Sequence, residues 1–158
     1  MPNLPLEGWW AARRVPAHKG LKLRLSKQHC QLRPFTKPSQ EDTLELIELA
    51  HGIIEAISDK QGEDIILLDI REQSPFADYF VICSAKSERQ IKAIQDGIGE
   101  FTLKNFEVKP RRIEGRSESG WVLVDFIGIV VHIFAQSQRA FYQLEDLWKE
   151  APVVLKMQ

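Results

Sequence analysis

The side chains of this chain that could do chemistry are scattered, and their spacing limits what they can do. Ser74, Asp78 and His132 are the residue types of a nucleophilic triad, but no GxSxG elbow lifts the serine onto a strained turn. His132 with Asp69 or Asp125 offers metal donors, yet neither HxxxH nor DxD, the spacings that bring two ligands together, occurs around them. No GxGxxG or GxxxxGK[ST] loop is present to cradle phosphate, and Gly97 and Gly99 fall inside a helical pattern. Cys30 and Cys83 stand apart, with no CxxC pair, so they imply neither a zinc site nor a disulfide framework. His51 reads as a surface or boundary histidine on a helix. The expectation is a chain without catalytic residues, metal or cofactor.

What remains is the chemistry of recognition, concentrated in WVLVDFIGIVVHIF from Trp121 to Phe134. If Ile127 and Gly128 form a two-residue turn, Phe126 pairs with Ile129, and strand parity sorts every side chain. Val122, Val124 and Phe126 then share one face with Ile129, Val131 and Ile133, all apolar. Trp121, Leu123 and Asp125 share the other with Val130, His132 and Phe134, the only face that carries polar groups. A wholly apolar face requires cover by helices. The mixed face has the composition of a partner-binding patch, and equally that of ordinary packed strand aromatics. Asp69 and Asp125, near strand ends, read either as residues that accept backbone hydrogen bonds or, for Asp125, as an acid facing a basic partner.

The elements that must hold this hairpin follow from periodicity. Ser39 and Asp42 form a capping pattern ahead of a stripe of Leu46, Ala50, Ile53 and Ile57, a helix that ends near Gly62. Ile65 to Ile70 and Tyr79 to Cys83 are short, β-branched apolar runs, read as strands buried on both faces. Ser87 and Gln90 open a second helix with Ile91, Ile94, Ile98 and Phe101 inward. Arg111 to Glu114 reads as a third strand. Ser137 starts a last helix with Phe141, Leu144, Leu147 and Trp148 inward, stopped by Ala151 and Pro152. The order predicts an α/β or α+β domain, a mixed sheet of about five strands flanked by helices.

Net charge of −1 conceals two unlike parts. Residues 1–40 hold eight Lys or Arg against Glu7 alone, a charge of +7, while 41–158 carry −8. The first part also holds Pro2, Pro5, Pro16, Pro34 and Pro38 and no sustained apolar period, so it reads as a basic, adaptable extension to a domain at 41–158. It suits an RNA-contacting arm, in which Trp9 and Trp10 beside Arg13 and Arg14 could stack on bases, an organellar targeting segment, or an extension with no evolved role. No run of about 18 apolar residues suggests a membrane span, and the expectation is a soluble, cytoplasmic protein of a bacterium more than of an organelle.

Several separated stretches together carry a resemblance: EDIILLDIRE from Glu63, SPFADYFVICSAKSERQ from Ser74, RIEG at 112–115, WVLVDF, VVHIF, and RAFYQLEDLW followed by AP. From about Leu44 to Val153 the chain resembles the ribosomal silencing factor family, RsfS or Iojap-like proteins. The resemblance implies a binding protein that attaches to a large-subunit ribosomal protein, the one numbered fourteen, obstructs joining of the small subunit and so represses translation. It implies a nucleotidyltransferase-like sheet, although the GS element and paired metal-holding acids of those enzymes are absent here; the alternative expectations are a nucleotidyltransferase-related enzyme or nucleotide-binding protein, and an interaction module for some other partner. It places a contact tryptophan at Trp121, with Leu123, Asp125 and His132 around it. Glu114 and Phe134 complete the expected partner-binding set. The same open face is the candidate surface for a homodimer. One departure is at the turn, where the family usually shows a polar D, aromatic, G, D pattern and this chain reads Phe126, Ile127, Gly128, Ile129.

Overall fold

The computed structural model describes the backbone of residues 40–158 and side chains from residue 45. The basic extension, with Trp9 and Trp10, and the expected Ser39 cap lie outside the described residues. Helix α1, Gln40–Asp59, buries Leu49, Ala50, Ile53, Ile54 and Ile57, the three-and-four spacing that gives a helix one apolar face. Its end is closed by the Gly62 amide donating to the Ile57 carbonyl at 3.0 Å, with Gln61 in the left-handed region at φ 59°. Strands β1, Glu63–Asp69, and β2, Tyr79–Ala85, pair antiparallel through Leu67 and Val81. Helix α2, Glu88–Phe106, begins as expected, the Ser87 hydroxyl accepting from the Gln90 amide at 3.2 Å. The Gln90 side-chain amide also donates to the Lys60 and Gln61 carbonyls, tying the start of α2 to the end of α1.

Strand β3 is Arg112–Arg116, displaced slightly from the run expected at Arg111 to Glu114. β4, Trp121–Asp125, and β5, Ile129–Ala135, form the hairpin, and β5 lies parallel to β2 from Tyr79 beside Ile129 to Ala85 beside Ala135. The sheet has six strands in the order β3, β4, β5, β2, β1, β6, where the sequence led us to expect about five. The additional strand β6, Val153–Met157, pairs with β1 at the sheet edge. It was invisible because most of its residues are exposed, so no hydrophobic alternation marks it. Among the described residues only the β2 to β5 pairing is parallel, which makes an α+β domain with a mixed sheet.

The last helix also differs from expectation. Helix α3, Gln136–Tyr142, stops at Gln143, whose φ of 43° breaks the helical path, and a single further turn, α4, covers Leu144–Leu147. The break resets the helical phase. Leu144 and Trp148 pack inward as the periodicity predicts, whereas Phe141 and Leu147 face solvent, at 76% and 57% exposure.

Two apolar layers result. The larger packs α1 and α2 against one face of the sheet, with Leu67, Val81, Val122, Val124, Phe126, Val131 and Ile133 at its centre. The smaller lies on the opposite face, where Leu144, Trp148 and Ala151 meet Leu68, Phe80, Ile82, Val130 and Phe134. Trp148 approaches Phe80 edge to face at 5.2 Å.

Candidate functional site

The hairpin register settles which side chains share a face. β4 and β5 pair without a shift from Trp121 beside Phe134 to Asp125 beside Val130, and the Phe126 amide donates to the Ile129 carbonyl at 2.8 Å. Ile127 and Gly128 therefore form the two-residue turn, with positive φ at Gly128 alone, 86°, a conformation that glycine adopts without a Cβ penalty. The Gly128 carbonyl accepts from the Asp78 and Tyr79 amides, fixing the turn to the start of β2. A polar turn residue is not needed, because the neighbouring loop supplies those partners.

On the face away from α1 and α2, β3, β4 and β5 present three rows. Arg112, Asp125 and Val130 form one, Glu114, Leu123 and His132 the next, and Arg116, Trp121 and Phe134 the last. Each row runs from a charged edge to an apolar centre. Burial follows the same gradient: Trp121, Leu123, Asp125 and Glu114 are half-buried, while His132 and Phe134 lie beneath them, buried. Gly115, at φ 88°, permits the close approach of β3, since a Cβ there would stand 2.3 Å from the Trp121 carbonyl oxygen.

Trp121 is held by three neighbours on two elements, β5 and α3. It stacks on Phe134 at 4.9 Å, touches the Tyr142 ring of α3 at 4.7 Å, and its indole Nε1 donates to His132 Nδ1 at 3.4 Å. That bond assigns the imidazole proton to Nε2, which is buried without a hydrogen-bond partner. Burial among Phe80, Trp121 and Phe134 pushes the His132 pKa down to about 3, so the ring is neutral at physiological pH. Burial raises the Asp125 pKa above the ordinary carboxylate value, against the pull of Arg111 and Arg112. Glu114 pairs with Arg112 at 3.3 Å on the same strand.

Catalytic groupings do not assemble. Asp78 lies beside the hairpin turn, four residues along the ladder from the His132 row, roughly 13 Å of strand. Asp69 accepts from the Arg71 guanidinium and from the Arg71 amide at 3.2 Å, which holds its carboxyl below the usual range. Cys83 is a buried small hydrophobe, its thiol pushed up to about 12 by burial. Among the described residues no group of three His, Cys, Asp or Glu is placed to hold a metal ion. Nor is any helix among them long and apolar enough to cross a membrane. Sequence reasoning missed Tyr142 and Phe80 as supports of the face, because ring contacts between distant elements leave no local period.

Residues 43–158 match the family model described as ribosomal silencing factor during starvation. The chain belongs to the ribosomal silencing factor family. The silencing factor of Bacillus subtilis is 42% identical over 98 residues, covering 62% of this chain and 82% of that one. That of Halalkalibacterium halodurans is 37% identical over 110 residues, 70% of this chain and 91% of the relative. The chloroplastic Iojap protein of maize is 32% identical over 70% of this chain and 48% of its own length. A crystal structure of a Chromobacterium violaceum protein superposes with a TM-score of 0.62 at 33% identity, covering 65% of this chain and 85% of that one. Membership places this silencing factor homologue in translation regulation and outside the enzymes.

Proposed function

We propose that this protein binds the large ribosomal subunit through its ribosomal protein number fourteen and sterically prevents the small subunit from joining. The observation that carries the reading is the half-buried strip of Trp121, Leu123, Asp125 and Glu114, on the one sheet face that helices only partly cover. Trp121 and Leu123 supply apolar area worth about 25 cal/mol per Å² before association costs, and the acids suit Lys or Arg on a basic partner. A desolvated tryptophan at such a centre contributes roughly 2 to 4 kcal/mol. His132 and Phe134 act from below, holding Trp121 in place. The −8 charge of residues 41–158 favours encounter with a basic ribosomal protein.

Three finer assignments belong to the same proposal. The sheet, covered by α1 and α2 on one face and partly by α3 and α4 on the other, is of nucleotidyltransferase type, put to binding without that chemistry. Residues 1–40, an extension to the domain at 41–158, contact ribosomal RNA through their +7 charge, which predicts salt-sensitive binding. The setting is the bacterial cytoplasm, a reading supported by similarity to silencing factors of two bacteria.

Co-sedimentation with isolated large subunits tests the reading. The wild-type chain should pellet with them and lower the yield of joined ribosomes. Asp125→Arg should abolish pelleting while a circular dichroism melt shows a folded protein, and Trp121→Ala should do the same. Undiminished binding by both variants would sink the assigned face. Concentration-dependent sedimentation of the free chain, lost in the same variants, would instead report a homodimer through this face.

A further inference from the structure

Phe141 was expected inside the core, and its outward position on α3 is unusual for a phenylalanine at 76% exposure. It is also not isolated. Its ring meets Tyr142 edge to face at 5.1 Å, Tyr142 meets Trp121 at 4.7 Å, and Trp121 stacks on Phe134. The four rings form a continuous row from the buried centre of the sheet to solvent.

We infer that Phe141 and Tyr142 form an aromatic ledge of the docking face, gripping the same basic ribosomal protein that contacts Trp121. The inference rests on the proposed function and extends it from the hairpin to α3. Its first support is reach. A specific interface covers about 800 Å² on each partner, a patch roughly 30 Å across. Phe141 lies two ring contacts from Trp121, so a partner centred on Trp121 covers it. The second support is rigidity. Arg139, two residues before Phe141, donates to the Asp64 carbonyl at 2.7 Å and the Ser84 hydroxyl at 2.8 Å, and pairs with Glu145 of α4 at 2.6 Å. These bonds pin the short α3 to the ends of β1 and β2, so presenting Phe141 requires little further ordering. The third is charge. With Arg139 already paired to Glu145, the neighbouring exposed Asp146 and Glu150 outweigh Lys149, which leaves the α3–α4 end of the face acidic toward a basic partner.

The test is Phe141→Ser in the full chain, with affinity for purified large subunits measured by sedimentation at fixed salt. Because the ring is mostly exposed, the melting midpoint should stay at the wild-type value while affinity falls about tenfold. Leu103→Ser, an exposed apolar residue of α2, which packs on the other side of the sheet, should bind as wild type. If Phe141→Ser binds as tightly as wild type while Asp125→Arg does not, the ledge is wrong and the hairpin reading survives. If neither variant loses binding, or the wild-type chain does not bind, both readings fall. Equal losses in Phe141→Ser and Leu103→Ser would also overturn the ledge, since the effect would not belong to this face.

Discussion

One face of the sheet, through Val122, Val124, Val131 and Ile133, lies sealed under α1 and α2; the other, one residue along each strand, carries Trp121, Leu123, Asp125 and His132 beneath a short, broken helix. Both are made by the same hairpin. The sealed face is uniform because apolar side chains removed from water need only volume and shape. The second is graded from charged edge to buried ring, which suits the proposed role of a surface that meets water in one state and a partner in another. The comparison teaches that the two faces of one hairpin part in their cover as well as in their composition.

The largest expected effect comes from placing a charge on each face in turn. Val131→Asp puts an unpaired carboxylate into the sealed layer and should cost on the order of 5 kcal/mol, enough to leave the chain without a cooperative urea transition. Leu123→Asp, half-buried on the second face, should cost about 1 kcal/mol or less by the same measurement. Comparable losses at the two positions would erase the distinction.

A smaller effect separates the faces by pH. His132 has a folded-state pKa of about 3 against 6.5 when unfolded, so its stabilising contribution is complete above pH 6.5. As pH falls from 6.5 toward 3 the unfolded chain takes up a proton that the folded chain refuses, and stability declines, by at most about 1.4 kcal/mol per pH unit. Urea titrations from pH 7 to 4.5 should show a steeper decline for wild type than for His132→Gln. Identical slopes would mean that His132 is not buried in its neutral form.

The smallest is at the hairpin turn, which is common to both faces. Gly128→Ala should lower stability by about 1 to 2 kcal/mol, through its positive φ and a Cβ placed 2.9 Å from Asp78 Oδ2 and 3.0 Å from a Leu46 methyl. The measured urea midpoint should fall while large-subunit binding by the folded fraction stays intact. An unchanged midpoint would show that the turn relaxes freely.

Much of this was legible in the residues themselves. Parity across Ile127 and Gly128 separated the two faces because a two-residue turn leaves no freedom of register, and the Ser87 cap with its Ile91, Ile94 and Ile98 stripe marked α2 because both signals are local. The missed strand β6 shows the limit, since an exposed edge strand is defined by its partner β1 and by nothing in its own pattern. Phe141 shows another. Its helical spacing predicted burial, and one left-handed residue, Gln143, turned it out.

The sequence by itself determined which residues could share a face, since alternation along a strand is a property of the backbone, and it determined the family through the order of its motifs. Only the tertiary structure decided how far each of those residues is covered. Burial of His132, half-burial of Trp121 and exposure of Phe141 depend on where α3 and α4 come to rest. That position is set by Arg139 bridging Asp64, Ser84 and Glu145 and by Trp148 meeting Phe80, contacts between residues too far apart in the chain for any local pattern to announce.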